Sequence, residues 1–322
     1  MRKLKSIAGC ALCLCLLLGL AGCAAAQRPL RVTLVLKTET DVAEFWGMLL
    51  SGVRKAAEEY GVELTVRTSP TETAIDEQIE LIRQTAAEKP DVMILSAADY
   101  DRCAEATEEA IAAGIGVVAV DTDVNAEGRA CFVGSNNYQI GQEMGSQMAS
   151  YLPEGGKVAV IQHMLTTTTG IDRTRGVIDA LTQAGNIEIL GSYCCDNSTL
   201  RAKEITTALL EDEPDIRGFV CTNEVCNVGA ANALVELGMG GKVFVVGCDN
   251  SQRQIALLEQ NIIQAIVIQR PFNMGYMAVQ QAVRVAQGET PEDFVEVACV
   301  LITRENMYTQ ENQKLLFPVM EQ

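Results

Sequence analysis

The stretch Lys242-Val-Phe-Val-Val-Gly-Cys-Asp249-Asn250 is an apolar run that stops on a carboxylate. A strand buried on both faces reads as such a run, and open α/β sheets bind ligands beyond the carboxyl ends of their strands. Asp249 is therefore expected beside a ligand. Val117-Val-Ala-Val-Asp121 and Gly218-Phe-Val-Cys-Thr-Asn223 repeat the form, so three strand ends point to one shared cleft.

Outward from these runs, strand and helix patterns alternate without interruption. Arg31–Leu36 reads as a first strand, and Phe45, Met48, Leu49, Gly52, Val53, Ala56 and Tyr60 follow at helical spacing, with Gly61 as the glycine that ends a helix. Strands are expected at 62–66, 90–95, 116–120 and 130–133, with helices at 74–87 and 101–113 between them. A second series places helices at 138–151, 172–183, 200–210, 225–237 and 252–260, and strands at 157–161, 187–193, 218–221, 243–246 and 262–268. Pro271 opens one more helix, to residue 287, and 294–302 reads as one extended segment. The class is α/β, with two doubly wound parallel-sheet units. No Ser/Thr/Pro-rich linker separates them. The run Thr166-Thr-Thr-Thr169 reads as a loop before a helix, and Glu211-Asp-Glu-Pro-Asp215 as a solvated turn.

A chain of 322 residues with 48% hydrophobic content is long enough for two domains with separate cores. Arg2, Lys3 and Lys5 precede an apolar run from Ile7 to Leu20, which is short for a membrane span and has the form of a secretory signal. Leu20-Ala21-Gly22-Cys23 resembles the lipobox of bacterial lipoproteins. The resemblance implies a signal peptide at 1–22, lipidation of Cys23 and a tether at 23–29, the alternative being an ordinary signal with an incidental cysteine. Two or more acyl chains would hold the body on a membrane surface. Removing the three cations of the signal from a net charge of −17 leaves −20, which argues against a nucleic-acid partner.

Of twelve cysteines, Cys10, Cys13, Cys15 and Cys23 belong to the signal and lipobox. The other eight are Cys103, Cys131, Cys194, Cys195, Cys221, Cys226, Cys248 and Cys299, and they lack zinc-site spacing. A chain of this size needs no covalent staples, and free cysteine in a strand packs as a small hydrophobe, so buried thiols are expected.

The sequence contains no nucleophile elbow, P-loop, dinucleotide fingerprint or metal cluster. His163 is its single histidine, just past a strand, where a place on a loop or cleft wall is expected. Neither an enzyme nor a cofactor or metal is expected. The remaining polar groups at strand ends or helix starts are Asp121, Arg175, Asn223, Asp249 and Gln269, with Phe45 and Trp46 at the mouth of the first helix. Such a set suits a polyol: carboxylates and amides bridge vicinal hydroxyls, arginine forks two of them, and an aromatic ring covers the C–H face of a sugar. Each residue alone has a plainer reading. Asp121 and Asp249 could cap helices, Arg175 could pair with Asp172 or Asp179, and Trp46 could be core.

From about Arg31 to Arg304 the chain resembles the ribose-binding-protein-like (type I) periplasmic sugar-binding proteins of ABC importers. The segments that carry this are Phe45-Trp46, Ser51-Gly52-Val53, Val117–Asp121, Val133-Gly-Ser-Asn-Asn137, Arg173-Thr-Arg175-Gly176, Cys221-Thr-Asn223-Glu224, Val245-Val-Gly-Cys-Asp249 and Ile268-Gln269-Arg-Pro271, in that order. The resemblance implies two lobes that close on a sugar, 30–134 with 271–297 and 135–270 with 298–322. The three-crossing hinge would lie near Ser135, Gln269–Arg270 and Val297–Cys299. Phe45 and Trp46 would stack on the ligand, Asp121 and Asp249 accept from hydroxyls, Arg175 and Asn223 bond oxygens, and Gln269 contribute from the hinge. The implied setting is a monomer that delivers a monosaccharide or similar polyol to an ABC permease. The alternative is a sugar or autoinducer sensor subunit that docks on a membrane receptor kinase. Thr122, the loop 40–44 with Asp41 and Glu44, and Asn197 depart from the ribose-binding pattern, so a different or larger sugar is as well supported as ribose.

Overall fold

The computed structural model describes residues 28–41 and 43–317; the expected signal peptide and Cys23 lie outside the described residues. In chain order the first series is β1 (Arg31–Leu36), α1 (Glu44–Tyr60), β2 (Glu63–Thr68), α2 (Ile75–Glu88), β3 (Val92–Leu95), α3 (Ala104–Ala112), β4 (Gly116–Val120) and β5 (Cys131–Gly134). The second is α4 (Asn137–Tyr151), β6 (Gly156–Gln162), α5 (Thr168–Ala184), β7 (Ile187–Cys194), α6 (Thr199–Asp212), β8 (Ile216–Cys221), α7 (Glu224–Glu236), β9 (Phe244–Cys248), α8 (Gln252–Glu259) and β10 (Ala265–Ile268). The chain closes with α9 (Pro271–Ala286), β11 (Phe294–Glu296), β12 (Val300–Thr303) and α10 (Gln310–Leu316).

Two six-stranded sheets result, ordered β11-β5-β4-β3-β1-β2 and β12-β10-β9-β8-β6-β7. Every pairing is parallel except β10 with β12. The central strands read as unbroken apolar runs because successive side chains feed different cores. Val92 and Ile94 pack with α1 and α9 on one face of the first sheet, while Met93 and Leu95 pack with α2 and α3 on the other. Two further clusters flank the second sheet in the same way.

The chain passes between the sheets three times: after β5, after β10, and between β11 and β12. The extended segment expected over 294–302 is therefore two strands in different sheets. Val297 N–H donates to Gly134 O at 2.8 Å, ending the pairing with β5, and Val300 then lies opposite Ile268. The threonine run is not a loop throughout, because α5 begins at Thr168. Thr167 supplies the cap, its hydroxyl accepting from Gly170 N–H at 3.2 Å. Helix α10 has no counterpart in the sequence reading, since its seven residues are too few and too polar to show a period.

In each lobe a pair of helices meets backbone to backbone at two glycines. A Cβ on Gly52 of α1 would lie 2.0 Å from Phe272 O, and one on Gly275 of α9 2.1 Å from Leu49 O. In the second lobe, a Cβ on Gly141 of α4 would lie 2.2 Å from Arg173 O, and one on Gly176 of α5 2.2 Å from Tyr138 O.

Candidate functional site

The carboxyl ends of both sheets face one space. Asp121 follows β4 and its N–H donates to Val133 O of β5 at 3.0 Å; Asp249 follows β9 and its N–H donates to Val267 O of β10 at 2.9 Å. The two residues thus occupy the same place in two sheets of the same strand order. Both have left-handed backbones, φ 63° and 68°, a conformation that costs a non-glycine residue about 1–3 kcal/mol and clusters at functional sites. Neither is the N-cap residue of a helix: Asn223 caps α7 and Ser251 caps α8.

On the first-lobe side, Lys37 extends the apolar run of β1 and is almost wholly buried. Its Nζ is 3.3 Å from Glu72 Oε2 and 3.4 Å from Asp121 Oδ2, and it lies 5.4 Å from the centre of the Trp46 ring. Burial pushes the carboxyls of Glu72 and Asp121 upward, with the Lys37 charge opposing it. Phe45 meets Trp46 edge to face at 5.1 Å, so the pair presents a ring to the cavity while Trp46 also packs into the core.

On the second-lobe side the central group is Arg173, on the inner face of α5 and 2% exposed. Its Nε donates to Asn137 Oδ1 and its Nη1 to Thr222 O, each at 2.9 Å, with Asp249 Oδ2 3.8 Å away. Asp249 Oδ1 accepts from Gln269 Nε2 at 2.6 Å, and Oδ2 from Glu224 N–H at 3.2 Å. Asn223 caps α7 by accepting from Cys226 N–H at 3.0 Å, and its Nδ2 donates to Asn197 Oδ1 at 2.9 Å. His163 is buried between Thr222 and Thr169, whose hydroxyls lie 2.7 and 3.1 Å from Nδ1 and Nε2. Burial and then Arg173 hold its pKa well below 6.5, so it is neutral.

These walls surround a cavity of about 60 Å³. Phe45, Trp46, Asp121, Asn223, Asp249 and Gln269 line it. Arg175 does not. Its side chain is 61% exposed, 3.1 Å from Asp172 and 4.8 Å over the Tyr138 ring. Two residues along a helix turn the side chain by about 200°, so Arg173 and Arg175 point opposite ways and the inward arginine is Arg173. Sequence reasoning also passed over Lys37, Glu72, Thr169 and Glu224, all on the cavity wall. Lys37 repeats the form that found Asp121 and Asp249, a polar residue ending an apolar run; Glu72 and Glu224 carry no such mark. Of the first loop's acids, Glu44 takes no place on the wall, because its Oε1 accepts from Gln252 N–H at 3.1 Å.

The lobes touch across the cleft. Tyr100 N–H donates to Thr166 O at 2.9 Å, and Asp123 N–H to Thr168 Oγ1 at 3.1 Å. With the Glu44 contact these make a closed arrangement in which both carboxylates face one small space. Charged, hydrogen-bonding and aromatic groups converge there. Among the described residues no group of His, Cys, Asp and Glu has the arrangement of a metal site.

Residues 32–290 match the periplasmic binding protein domain family. The chain is 27% identical over 270 residues to the D-ribose/D-allose-binding protein of Pseudomonas aeruginosa, covering 81% of this chain and 84% of that one. It is 30% identical over 236 residues to the D-apiose import binding protein of Paraburkholderia graminis, covering 72% and 75%. A solved sugar transporter structure from Clostridium phytofermentans superposes with a TM-score of 0.78 at 31% identity, over 84% of this chain and 98% of that one. The chain belongs to the periplasmic binding protein domain family, in its ribose-binding-protein-like, type I form.

Proposed function

We propose that this chain captures a monosaccharide or similar polyol between its lobes and delivers it to an ABC permease, catalysing nothing. The observation that carries the reading is the convergence of Asp121 and Asp249 from opposite sheets on one cavity, with Lys37, Arg173, Asn223 and Gln269 as donors and Phe45–Trp46 as the apolar face. A ligand bonded to both carboxylates holds the lobes together, which is the difference in affinity that closure requires. The relatives named for D-ribose, D-allose and D-apiose support a sugar as the cargo. The lipobox-like segment supports export and anchoring through Cys23 at the outer face of the membrane, with the body acting as a monomer.

Trp46 is the single tryptophan of the chain and lines the cavity. Titration with a panel of pentoses, hexoses and polyols is expected to change its emission and to raise the melting temperature with the logarithm of ligand concentration. No response of either signal to any member overturns sugar capture. Once a ligand is found, Asp249→Ala is expected to weaken it by ten- to a hundred-fold, the loss of a charge-assisted bond of roughly 1.5–3 kcal/mol. Isothermal titration calorimetry checks this, and unchanged affinity removes Asp249 from the site.

A further inference from the structure

Cys195 and Cys226 lie 31 residues apart in sequence, both fully buried, with their Sγ atoms 3.5 Å apart. We propose that they are the two halves of a disulfide that locks the second-lobe wall of the cleft. Cys195 follows β7 directly, its N–H donating to Gln162 O at 2.9 Å. The next two residues, Asp196 and Asn197, are both left-handed, φ 48° and 52°, and Asn197 receives the Asn223 amide. Cys226 lies in the first turn of α7, which Asn223 caps. The sulfurs therefore touch across the seam that the Asn197–Asn223 hydrogen bond already spans.

A bonded pair has an S–S distance near 2.0 Å, so the sulfurs must close by about 1.5 Å. Two other thiols lie nearby. Cys194 Sγ is directed at Asp196 Oδ1 and His163 O, at 3.3 and 3.7 Å, and Cys221 packs in the core. Both thiols are fully buried, so the bond forms as the second lobe folds, before the pair is covered. The oxidant is a small-molecule or protein disulfide. The thiolate of one cysteine attacks one of its sulfurs and releases a thiol; the other cysteine then attacks the mixed disulfide and releases the second. Two protons and two electrons leave the pair, and one external disulfide becomes two thiols.

The link would hold Asn197 and Asn223 at fixed separation and close a 31-residue loop in the unfolded chain. Its bracing role rests on the cleft being the binding site; its formation does not, so the test reads the bond itself. The full chain is denatured and reduced, refolded with oxidised glutathione or with dithiothreitol, then denatured again and alkylated. Two fewer alkylated cysteines are expected in the oxidised sample, with a cross-linked peptide joining Cys195 to Cys226. The Cys194→Ser/Cys221→Ser protein keeps both invoked cysteines and fixes the assignment. Equal alkylation, or a link through any other cysteine, overturns the proposal. Dithiothreitol is also expected to lower the melting temperature of the oxidised parent by roughly 5–15 °C and to leave Cys195→Ser/Cys226→Ser unchanged. An equal shift in both overturns the bracing role.

Discussion

Arg173 and Arg175 separate what one residue does from what its neighbour suggests. Arg173 is buried, bonded to Asn137 and the Thr222 carbonyl, and near Asp249, so Arg173→Gln is expected to lower both the melting temperature and the affinity, the latter by at least ten-fold. Arg175→Ala is expected to leave affinity within two-fold, since an exposed helix pair contributes little. Calorimetry on the two variants checks the contrast. The sequence made the type of residue legible and not its direction: a helix boundary set four residues late, at Asp172 instead of Thr168, removes the phase from which inward and outward positions are counted. Glu224 gives a second test. Burial pushes its carboxyl up to about 7 from an ordinary 4.5, so between those pH values the folded chain holds a proton that the unfolded chain has released. The stability it contributes is full below about pH 4.5 and lost as pH rises through about 7. Glu224→Gln is expected to lose less melting temperature than the parent between pH 5 and pH 8, as read by differential scanning calorimetry; parallel profiles would remove Glu224 as the source.

Among the elements, the central strands were the most legible part because their burial on both faces leaves little ambiguity in an apolar run. The helix pairs were legible only in part. Gly52 and Gly176 stood out in the motifs, but their purpose, letting α1 meet α9 and α4 meet α5 at backbone contact, depends on partners distant in sequence. Gly52→Ala is expected to drive a methyl group against Phe272 O and separate α1 from α9, lowering the unfolding free energy by about 1–3 kcal/mol. Gly61→Ala, where a Cβ meets no atom within 4 Å but φ is 65°, tests backbone strain without overpacking. Urea denaturation of both distinguishes the two costs. The split of 294–302 between two sheets was invisible because β11 and β12 have the same local pattern; only the hydrogen bond that Val297 makes to Gly134 separates them.

Across the whole molecule, closure is held by the cleft and also by contacts that no ligand makes. Thr168 Oγ1 accepts the Asp123 N–H across the lobes, so Thr168→Val is expected to speed ligand release by roughly 2- to 10-fold, the worth of one net hydrogen bond. Stopped-flow Trp46 emission reads it, and an unchanged release rate would show that this latch does not limit opening. The return of the chain to its first lobe has a consequence for the order of assembly. Helix α9 supplies Met274, Ala278, Val279 and Ala282 to the core that also holds Trp46, Leu49 and Val53, and β11 supplies the edge beside β5. During synthesis the first 134 residues therefore emerge without the cover for one face of their own sheet, whereas β6 to β10 emerge as a contiguous run. The lobe made first thus waits for its last helix and strand until all but one strand of the second sheet has emerged, and a chain stopped after Ile268 would expose the part of that apolar face that α9 covers to aggregation.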